Sequence, residues 1–336
     1  MPTWVVTGGA GFIGSNFVRL ALAERPDLRI VNVDLLTYAG NLENLQGVPA
    51  ERHSFRRADI CDPEAMRQAV PPEADALLNF AAETHVDRSI LGPLAFVRTN
   101  VVGTQVLLDV AREKAVKRFL QVSTDEVYGS LGPEAPAFTE ASPLAPSSPY
   151  AASKAAADLL VLAALHTYGQ DVLVTRCSNN YGPYQFPEKL VPLMLSNALE
   201  DKPLPVYGDG RQVRDWIHTD DHSRAVLAVL EGGRPGAVYN IGARSERQNI
   251  DVVREILRQV GKPESLIRFV KDRPGHDRRY AMDPARIEEE LGWRPRVSFE
   301  EGLADTIRWY RGHADWWRRV KDGSYQRFYD EWYGRR

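Results

Sequence analysis

Short apolar runs alternate with amphipathic stretches through the first half of the chain. Six runs have the length and composition of buried strands, and they lie at 3–7, 29–34, 53–58, 75–80, 118–123 and 171–176. Four stretches between them have helical spacing, at 12–25, 63–70, 93–114 and 150–168. This alternation predicts an α/β fold with a parallel, doubly wound sheet that is covered by helices on both faces.

The second half of the chain is less regular. Its predicted elements are a loop at 179–187, a helix at 188–200, a strand at 237–241 and a helix at 249–260. No repeat, low-complexity stretch or flexible linker separates the two halves. We therefore expect a larger domain at 1–178, which also receives parts of 213–241, interleaved with a smaller C-terminal α/β substrate domain at 179–336.

A glycine-rich turn lies between the first strand and the first helix. Gly8, Gly11 and Gly14 have the Gly-x-x-Gly-x-x-Gly spacing, which allows a tight turn and close approach of a pyrophosphate to the helix N-terminus. Asp34 ends the second strand, where a carboxylate can bind a ribose 2′-hydroxyl and repel a 2′-phosphate. The pattern predicts a Rossmann domain that binds NAD; the alternative is a structural glycine turn with a helix-capping aspartate.

Residues after the third and fourth strands should also border this dinucleotide. Asp59 and Ile60 follow the third strand and are expected beside the adenine. The segment after the fourth strand is expected along the middle of the cofactor, and it comprises Ala81, Ala82, Glu83, Thr84 and His85.

Tyr150 and Lys154 are four residues apart, so on a helix that begins near Pro149 they share one face. A free phenol titrates near about pH 10. The Lys154 ammonium and a positive nicotinamide ring would favour the phenolate, so we expect Tyr150 to be a base near neutrality. The alternative is a chance pair on a solvated helix face.

Asp125 and Glu126 stand side by side at the end of the apolar run 118–123. Because burying charge is costly, adjacent carboxylates at a buried strand end favour a functional interpretation. Such a pair can divide the roles of general acid and general base, and burial together with the charge of Glu126 should raise the pKa of Asp125. The alternatives are a helix or turn cap for Asp125 and a surface salt bridge for Glu126.

Composition excludes several functional classes. The chain has 336 residues, 43% of them hydrophobic, and a net charge of −3, which gives no electrostatic reason to expect nucleic acid or an anionic membrane as a partner. Cys61 and Cys177 are too few for a disulfide framework and have no metal-ligand company, so no metal is expected. A strand that begins near Trp4 leaves no room for a signal peptide, and no apolar run approaches about 20 residues, so we expect a cytoplasmic protein.

The motifs together resemble the extended short-chain dehydrogenase/reductase superfamily. The glycine turn, Ser123-Thr124 and Tyr150-x-x-x-Lys154 carry that resemblance. A narrower resemblance, to the dTDP-glucose 4,6-dehydratase family, is carried by Thr124-Asp125-Glu126 and by the segments 177–190, 214–216 and 272–280. These motifs extend from residue 7 to residue 280, so the resemblance covers nearly the whole chain.

The resemblance implies an NAD-dependent hydro-lyase that converts dTDP-glucose to its 4-keto-6-deoxy product through transient oxidation at C4. It assigns Tyr150, with Lys154, to the oxidation, Glu126 to removal of the C5 proton, Asp125 to protonation of the leaving C6 hydroxyl, and Thr124 to the C4 oxygen. NAD is regenerated in each cycle and must stay bound. The resemblance extends the cofactor-binding set to Phe12, Ile13, Leu35, Leu36, Thr37, Thr99 and Asn180.

The resemblance also implies a nucleotide-sugar pocket in which cations and amides bind the diphosphate. Its predicted residues are His85, Thr124, Asn179, Lys189, Leu190, Pro205, Val206, Tyr207, Arg214, Asn249, Arg273, His276 and Tyr280. Two of these have open alternatives, because Arg214 could form a structural ion pair and His85 could be a structural histidine. The thymidine preference rests on resemblance, so uridine, cytidine and guanosine diphosphate sugars remain alternatives.

Rival functions on the same scaffold are a nucleotide-sugar 4-epimerase or decarboxylase, which would not need the adjacent acids, and a non-catalytic NAD-binding protein, which would be free to lose Tyr150 or Lys154.

The predicted helices 93–114 and 150–168 carry apolar residues beyond one stripe, which fits the family's homodimer with its four-helix interface or plain core packing. Near the C-terminus, interleaved charges predict a solvated face, and the aromatic residues, which are Trp309, Trp316, Trp317, Phe328 and Trp332, are expected to pack the tail onto its own domain.

Overall fold

A seven-stranded parallel sheet forms the centre of the protein in a computed structural model that describes residues 1–321. Its strands are β1 (Thr3–Thr7), β2 (Arg29–Asp34), β3 (His53–Arg57), β4 (Ala76–Asn79), β5 (Phe119–Thr124), β6 (Val172–Cys177) and β10 (Val238–Ile241). Their spatial order is β3-β2-β1-β4-β5-β6-β10, and every neighbouring pair is parallel. The predicted doubly wound α/β fold is therefore confirmed, and the strand order reverses between β1 and β4, where ligands bind in such sheets.

The central strands form where the sequence is apolar and β-branched, and they are covered on both faces, whereas the edge strand β3 is polar and partly exposed. Every residue of β4, β5 and β6 is buried. The covering helices in the first half are α1 (Phe12–Glu24), α2 (Pro63–Ala69), α3 (Val86–Leu91), α4 (Pro93–Phe96), α5 (Gly103–Glu113) and α6 (Pro149–Tyr168). The predicted helix start at Pro149 is confirmed, and the Ser148 side chain caps it by accepting a hydrogen bond from the Ala151 N–H.

Helices α4 and α5 are joined by a π-helical stretch, Val97–Val102, into one continuous helix, Pro93–Glu113. Contrary to the expectation from sequence, this helix is long and apolar enough to cross a membrane by length and composition. Half of its apolar window is buried inside the protein. A core helix of this kind passes the same test, so the finding is weak support for a membrane span.

Residues from the second half build two small sheets beside the large one. The order β11-β9-β7 joins Glu246–Gln248, Val213–His218 and Asn179–Tyr181, so the predicted loop at 179–187 begins with a short strand. The parallel pair β12-β8 joins Ile267–Val270 and Leu204–Tyr207. Strand β10 crosses back into the large sheet, so the two halves of the chain are interwoven.

Four helices of the second half pack around a separate apolar cluster: α7 (Leu190–Leu199), α9 (Asn249–Val260), α11 (Phe299–Gly312) and α12 (Ala314–Val320). The other two, α8 (Thr219–Gly232) and α10 (Ala285–Leu291), pack in the core of the large sheet. Trp309, Trp316 and Trp317 pack in the separate cluster, and the Trp316 indole donates to Asn44 Oδ1 at 3.0 Å. Packing of the aromatic C-terminus is confirmed for these three residues, whereas Phe328 and Trp332 lie outside the described residues.

Candidate active site

A cavity of about 480 Å³ opens at the carboxyl ends of the parallel strands. The turns after β1 to β6 reach it from one side, and elements of the second half reach it from the other. The predicted catalytic, cofactor-binding and substrate-binding residues all line this cavity, with Leu36 as the exception. The fold therefore brings into one space groups that are up to 272 positions apart in sequence, from Gly8 to Tyr280.

The glycine turn is shaped by backbone contacts that leave no room for side chains. Gly8 has a φ of +72°, and a Cβ there would lie 2.5 Å from the Ala81 nitrogen. A Cβ on Gly14 would lie 2.3 Å from the Gly8 oxygen. No side chain caps helix α1 at Gly11, so the N-terminus of α1 remains available to an anion.

Asp34 ends β2 beside this turn and is buried. Its two carboxylate oxygens accept hydrogen bonds from the N–H groups of Leu36, at 2.8 Å, and Ala10, at 3.0 Å. Burial raises the pKa of Asp34, and the two backbone hydrogen bonds oppose that shift. Leu36 does not border the cavity, because its side chain packs against the core while its N–H orients the carboxylate.

Thr124, Asp125 and Glu126 lie at the end of β5, where the strand passes into a 3-10 turn. The Thr124 hydroxyl donates to Asp125 Oδ1 at 3.1 Å and accepts from the Glu126 N–H at 3.2 Å. Asp125 is only 2% exposed, and its Oδ2 has no hydrogen-bond partner among residues 1–321. Glu126 forms no salt bridge within the same residues, so the alternative of a surface salt bridge there is wrong.

The two adjacent acids have different electrostatic surroundings. Burial, followed by the charge of Glu126, raises the pKa of Asp125 to about 8, which confirms the expected direction. Burial also raises the pKa of Glu126, but Arg273, Lys189 and Arg214 oppose that shift. Asp125 is therefore the group that holds a proton at neutral pH, and the carboxylate form of Glu126 is favoured by three neighbouring cations.

Tyr150 and Lys154 share the cavity face of α6, as predicted, but they do not form the expected electrostatic pair. Burial, followed by the charge of Glu126, raises the pKa of Tyr150 well above its ordinary value. Lys154 donates instead to the Val122 carbonyl at 2.7 Å. The charge of Lys154 is therefore not among the main influences on the pKa of Tyr150, and the expectation of a base near neutrality, which also depends on a nicotinamide ring, stays a prediction.

The sequence analysis did not predict a counter-charge for Lys154. Asp158 lies one turn further along α6, is fully buried, and pairs with Arg176 Nε at 2.9 Å. Burial lowers the pKa of Lys154, while the charge of Asp158 opposes that shift. The spacing Tyr150, Lys154, Asp158 was visible as one helical stripe, but the partner Arg176 on β6 was not.

At the opposite end of the cavity, buried charges are held by side chains from distant segments. Arg273 donates to Asp87 Oδ1 at 2.9 Å, and Tyr207 donates to Asp87 Oδ2 at 2.8 Å. Arg273 Nε is buried and without a partner among the described residues. Asp87 was not predicted, and its motif, Asp-Arg after the fourth strand, gave no sign of a partner 186 residues away.

Arg214 is held by backbone carbonyls and an aromatic ring. It donates to the carbonyls of Val213, at 2.7 Å, and Asp277, at 2.9 Å, and its guanidinium lies 4.2 Å from the centre of the Tyr280 ring. Burial lowers the pKa of Arg214. The alternative of a structural ion pair is wrong for the described residues, and the guanidinium keeps its charge for the cavity.

Lys189 and His85 lie where the two ends of the cavity meet. Lys189 donates to the Thr84 carbonyl at 2.7 Å. His85 caps α3 by accepting from the Arg88 N–H, and burial lowers the pKa of its imidazole to about 3, so the ring is neutral. His276 contacts Asp272 Oδ1 at 2.6 Å, and burial lowers the pKa of His276 to about 4.

Several buried polar atoms that line the cavity have no partner among residues 1–321, which is typical of a site shaped for a polar ligand. They are Ser178 Oγ, Asn179 Oδ1, Asn180 Oδ1, Gln185 Oε1, Asn249 Oδ1 and Trp216 Nε1.

Comparison with known proteins agrees with this site. A family model described as GDP-mannose 4,6 dehydratase matches residues 5–306. The dTDP-glucose 4,6-dehydratase of Xanthomonas campestris pv. campestris strain B100 is 54% identical, over 97% of this chain and 98% of the relative. A crystal structure of the Streptomyces venezuelae dTDP-glucose 4,6-dehydratase with NAD bound superposes with a TM-score of 0.92, at 52% identity, over 95% of this chain and all of that chain.

This chain belongs to the dTDP-glucose 4,6-dehydratase family. The UDP-glucose 4-epimerase of Thermus thermophilus, solved with NAD, shares the fold at a TM-score of 0.85 but only 31% identity, over 93% of this chain and 99% of that chain. The scaffold is therefore common to dehydratases and epimerases, and the adjacent acids Asp125 and Glu126 are the feature that the predicted dehydration requires.

One further acid at the site of this dehydratase family member was not predicted from the sequence. Glu188 lines the cavity and is buried, and burial raises its pKa to about 7. Its Oε1 accepts from the Tyr38 hydroxyl at 3.0 Å, and its Oε2 lies 3.6 Å from Arg88 Nε. Glu188 stood within the motif 177–190, but its partner Tyr38 lies 150 residues earlier, so no local signal indicated the contact.

Proposed function

We propose that this protein converts dTDP-glucose to dTDP-4-keto-6-deoxyglucose and water, with a tightly bound NAD. The observation that carries the proposal is the position of Asp125 and Glu126 in the same cavity as Tyr150, Lys154 and the glycine turn. One cavity thus holds the groups for a redox step and those for loss of water.

The glycine turn and Asp34 fit a dinucleotide. The close backbone approach at Gly8 and Gly14 leaves space where a pyrophosphate can reach the N-terminus of α1. The Asp34 carboxylate retains lone pairs for ribose hydroxyls and repels a 2′-phosphate, which favours NAD over NADP. Bound there, NAD would supply the acceptor for a hydride from C4 of the sugar and the donor of that hydride to C6.

Tyr150 and Thr124 act on the C4 hydroxyl. Tyr150 takes the hydroxyl proton as C4 is oxidised, and Thr124 orients the same oxygen by a hydrogen bond. Because the chain's own groups raise the pKa of Tyr150, the positive charge of bound cofactor is needed to favour the phenolate. Lys154, which donates to the Val122 carbonyl, would also hold the nicotinamide ribose.

Asp125 and Glu126 then remove water. A C4 ketone acidifies the C5 proton, which Glu126 accepts as its carboxylate, while the proton on Asp125 passes to the departing C6 hydroxyl. Glu126 returns its proton to C5, and the proton gained by Tyr150 balances the one lost by Asp125. The reaction therefore has no net oxidation and releases only water.

The nucleotide-sugar end supplies cations for the diphosphate. We propose Arg214, Arg273 and Lys189 as its charged ligands, with Asn179 and Asn249 as amide ligands. The remaining substrate contacts are proposed for His85, Leu190, Pro205, Val206, Tyr207, His276 and Tyr280. In domain terms, residues 1–178 with parts of 213–241 would bind the dinucleotide, and 179–336 the nucleotide sugar.

A homodimer through α3–α6 is proposed from their exposed apolar side chains. Leu94 is 81% exposed, Leu91 66%, Leu159 59% and Tyr168 52%. Four such side chains on neighbouring helices would be costly to leave in water and suit a four-helix interface. We expect Leu94→Asp to shift the dimer to monomer in analytical ultracentrifugation, and an unchanged sedimentation coefficient would contradict this interface.

We also propose that the enzyme works in the cytoplasm, in a deoxysugar pathway such as that of dTDP-rhamnose. Because NAD is regenerated in each cycle, such an enzyme needs only its sugar substrate for turnover.

The test is to supply the purified, NAD-loaded protein with glucose linked to dTDP, UDP, CDP or GDP. We expect the alkali-dependent absorbance of a 4-keto-6-deoxy sugar, with the highest kcat/KM for dTDP-glucose. Highest activity with another nucleotide would favour a dehydratase of that sugar. Formation of dTDP-galactose without this absorbance would favour the 4-epimerase, and no product from any sugar would contradict both.

A further inference from the structure

The segment 183–188, between β7 and α7, forms a strap across the outer side of the dinucleotide end. Its first residues lie on helix α1, where Asn16 Nδ2 donates to the Pro183 carbonyl at 3.0 Å and Arg19 lies 5.0 Å from the centre of the Tyr184 ring. The strap therefore packs on the same helix whose N-terminus faces the cavity.

The far end of the strap is tied to the loop that follows Asp34. The Tyr38 hydroxyl donates to Glu188 Oε1 at 3.0 Å, and the Tyr38 ring packs edge-on against Phe186 at 5.5 Å between centroids. Arg88 covers the other side of Tyr38, with its guanidinium 4.0 Å from the ring centre.

These contacts join the two walls of one cavity. Glu188 and Phe186 line it from the strap, while Leu35, Thr37 and Gly40 line it from the Asp34 loop. The hydrogen bond between Tyr38 and Glu188 thus bridges the Asp34 loop and the strap, two segments that both border the proposed dinucleotide end.

We propose that Tyr38 and Glu188 are positioning residues that hold the 183–188 strap closed and so retain the reduced cofactor between the two half-reactions. This inference rests on the proposed function. The chemistry gives the reason for such a device, because reduced cofactor that dissociated after C4 oxidation would leave an oxidised sugar and an enzyme unable to complete its cycle.

Tyr38→Phe tests the proposal with the loss of one oxygen atom. Protein loaded with NADH would be mixed with excess NAD, and the fall in bound NADH fluorescence would give the release rate. Above pH 7 Glu188 is mostly a carboxylate, and a hydrogen bond to a charged acceptor contributes more than a neutral one, so at pH about 8 we expect release about tenfold faster than in the unsubstituted protein.

Tyr184→Phe is the matched control. Tyr184 lies in the same strap, and its hydroxyl makes no hydrogen bond among residues 1–321. We expect its NADH release rate to equal that of the unsubstituted protein. Glu188→Ala should release NADH as fast as Tyr38→Phe or faster, and the double variant should be no faster than Glu188→Ala, because both remove the same bond.

The outcomes separate the two proposals. Equal release rates for Tyr38→Phe, Tyr184→Phe and the unsubstituted protein would overturn the strap while leaving the dehydratase proposal intact. Additive effects of Tyr38→Phe and Glu188→Ala would also overturn it. A chain that binds neither NAD nor NADH would overturn the proposed function and the strap together.

Discussion

At its proposed dinucleotide end the cavity presents backbone groups and the Asp34 carboxylate, whereas its proposed nucleotide-sugar end presents Arg214, Arg273 and Lys189. Gly8 and Gly14 shape the first end through contacts with main-chain atoms. Arg273 and Arg214 at the second end are held by Asp87 and by backbone carbonyls. The shape of the first end depends on the absence of side chains, and that of the second on how its charged side chains are paired. Ligand affinity at the two ends should therefore respond to different substitutions.

Asp125 lies between the two ends and should give the largest effect on turnover. Replacing it by Asn removes the proton donor for the C6 hydroxyl, so we expect kcat to fall by about 10²- to 10⁴-fold. Cofactor release and the KM for dTDP-glucose should change little, and steady-state kinetics with NADH-release measurements will check both. Retention of normal kcat would contradict the role of the acid.

The same variant should be more stable than the unsubstituted protein at neutral pH. The pKa of Asp125 is about 8 when folded and about 4 when unfolded, so folding retains a proton and stability falls as pH rises between these values. Asp125→Asn removes this loss, so the advantage of the variant should grow as the pH rises through that window. Urea unfolding should give Asp125→Asn the same free energy of unfolding as the unsubstituted protein at pH 4 and a higher one at pH 7. The control Asp27→Asn, at an exposed position, should not differ from the unsubstituted protein at either pH.

Gly14→Ala tests the dinucleotide end. The new Cβ would lie 2.3 Å from the Gly8 oxygen, so the turn must shift, and overpacking of this kind costs about 1–3 kcal/mol. We expect NAD affinity to fall by up to about 100-fold, measured by calorimetry, with nucleotide-sugar affinity less affected. Gly312→Ala, where a Cβ meets nothing within 4 Å, is the control. If Gly14→Ala lowered the affinity for NAD and the affinity for the nucleotide sugar equally, the two ends of the cavity would not be independent.

Arg273→Met tests the nucleotide-sugar end and should have a smaller effect. Loss of a charge-assisted bond to the diphosphate is expected to raise the KM for dTDP-glucose about 10- to 30-fold, while NADH release stays unchanged. The exposed Arg268→Met, in neighbouring strand β12, is the control. A KM that is unaffected by Arg273→Met would exclude this side chain as a diphosphate ligand.

The difference between the two ends also explains what could be predicted from sequence. The glycine turn, Asp34 and the strand-end acids are local patterns in which the residue type reports its own backbone environment, so their positions followed from spacing. Asp87, Glu188 and their partners are joined by contacts across 120 to 186 residues, and no local pattern encodes such pairs. The short strands of the second half were missed for the same reason, since β8 and β12 pair across more than 60 residues.

The pKa of Tyr150 shows the limit of local spacing most clearly. Helical periodicity placed Tyr150 and Lys154 on one face correctly, but the ammonium is held by the Val122 carbonyl on a neighbouring strand. A side-chain direction depends on which acceptors lie within reach, and that requires the packed structure.

Asp125 and Glu126 are proposed to add loss of water to a redox site that can act without them. A single-turnover experiment with Glu126→Gln and NAD-loaded protein tests this proposal most directly, by following the near-ultraviolet absorbance of reduced nicotinamide after addition of dTDP-glucose. We expect this absorbance to rise and persist, with no 4-keto-6-deoxy product, because C4 is oxidised but C5 keeps its proton. Normal formation of product by this variant would exclude Glu126 as the base for the C5 proton.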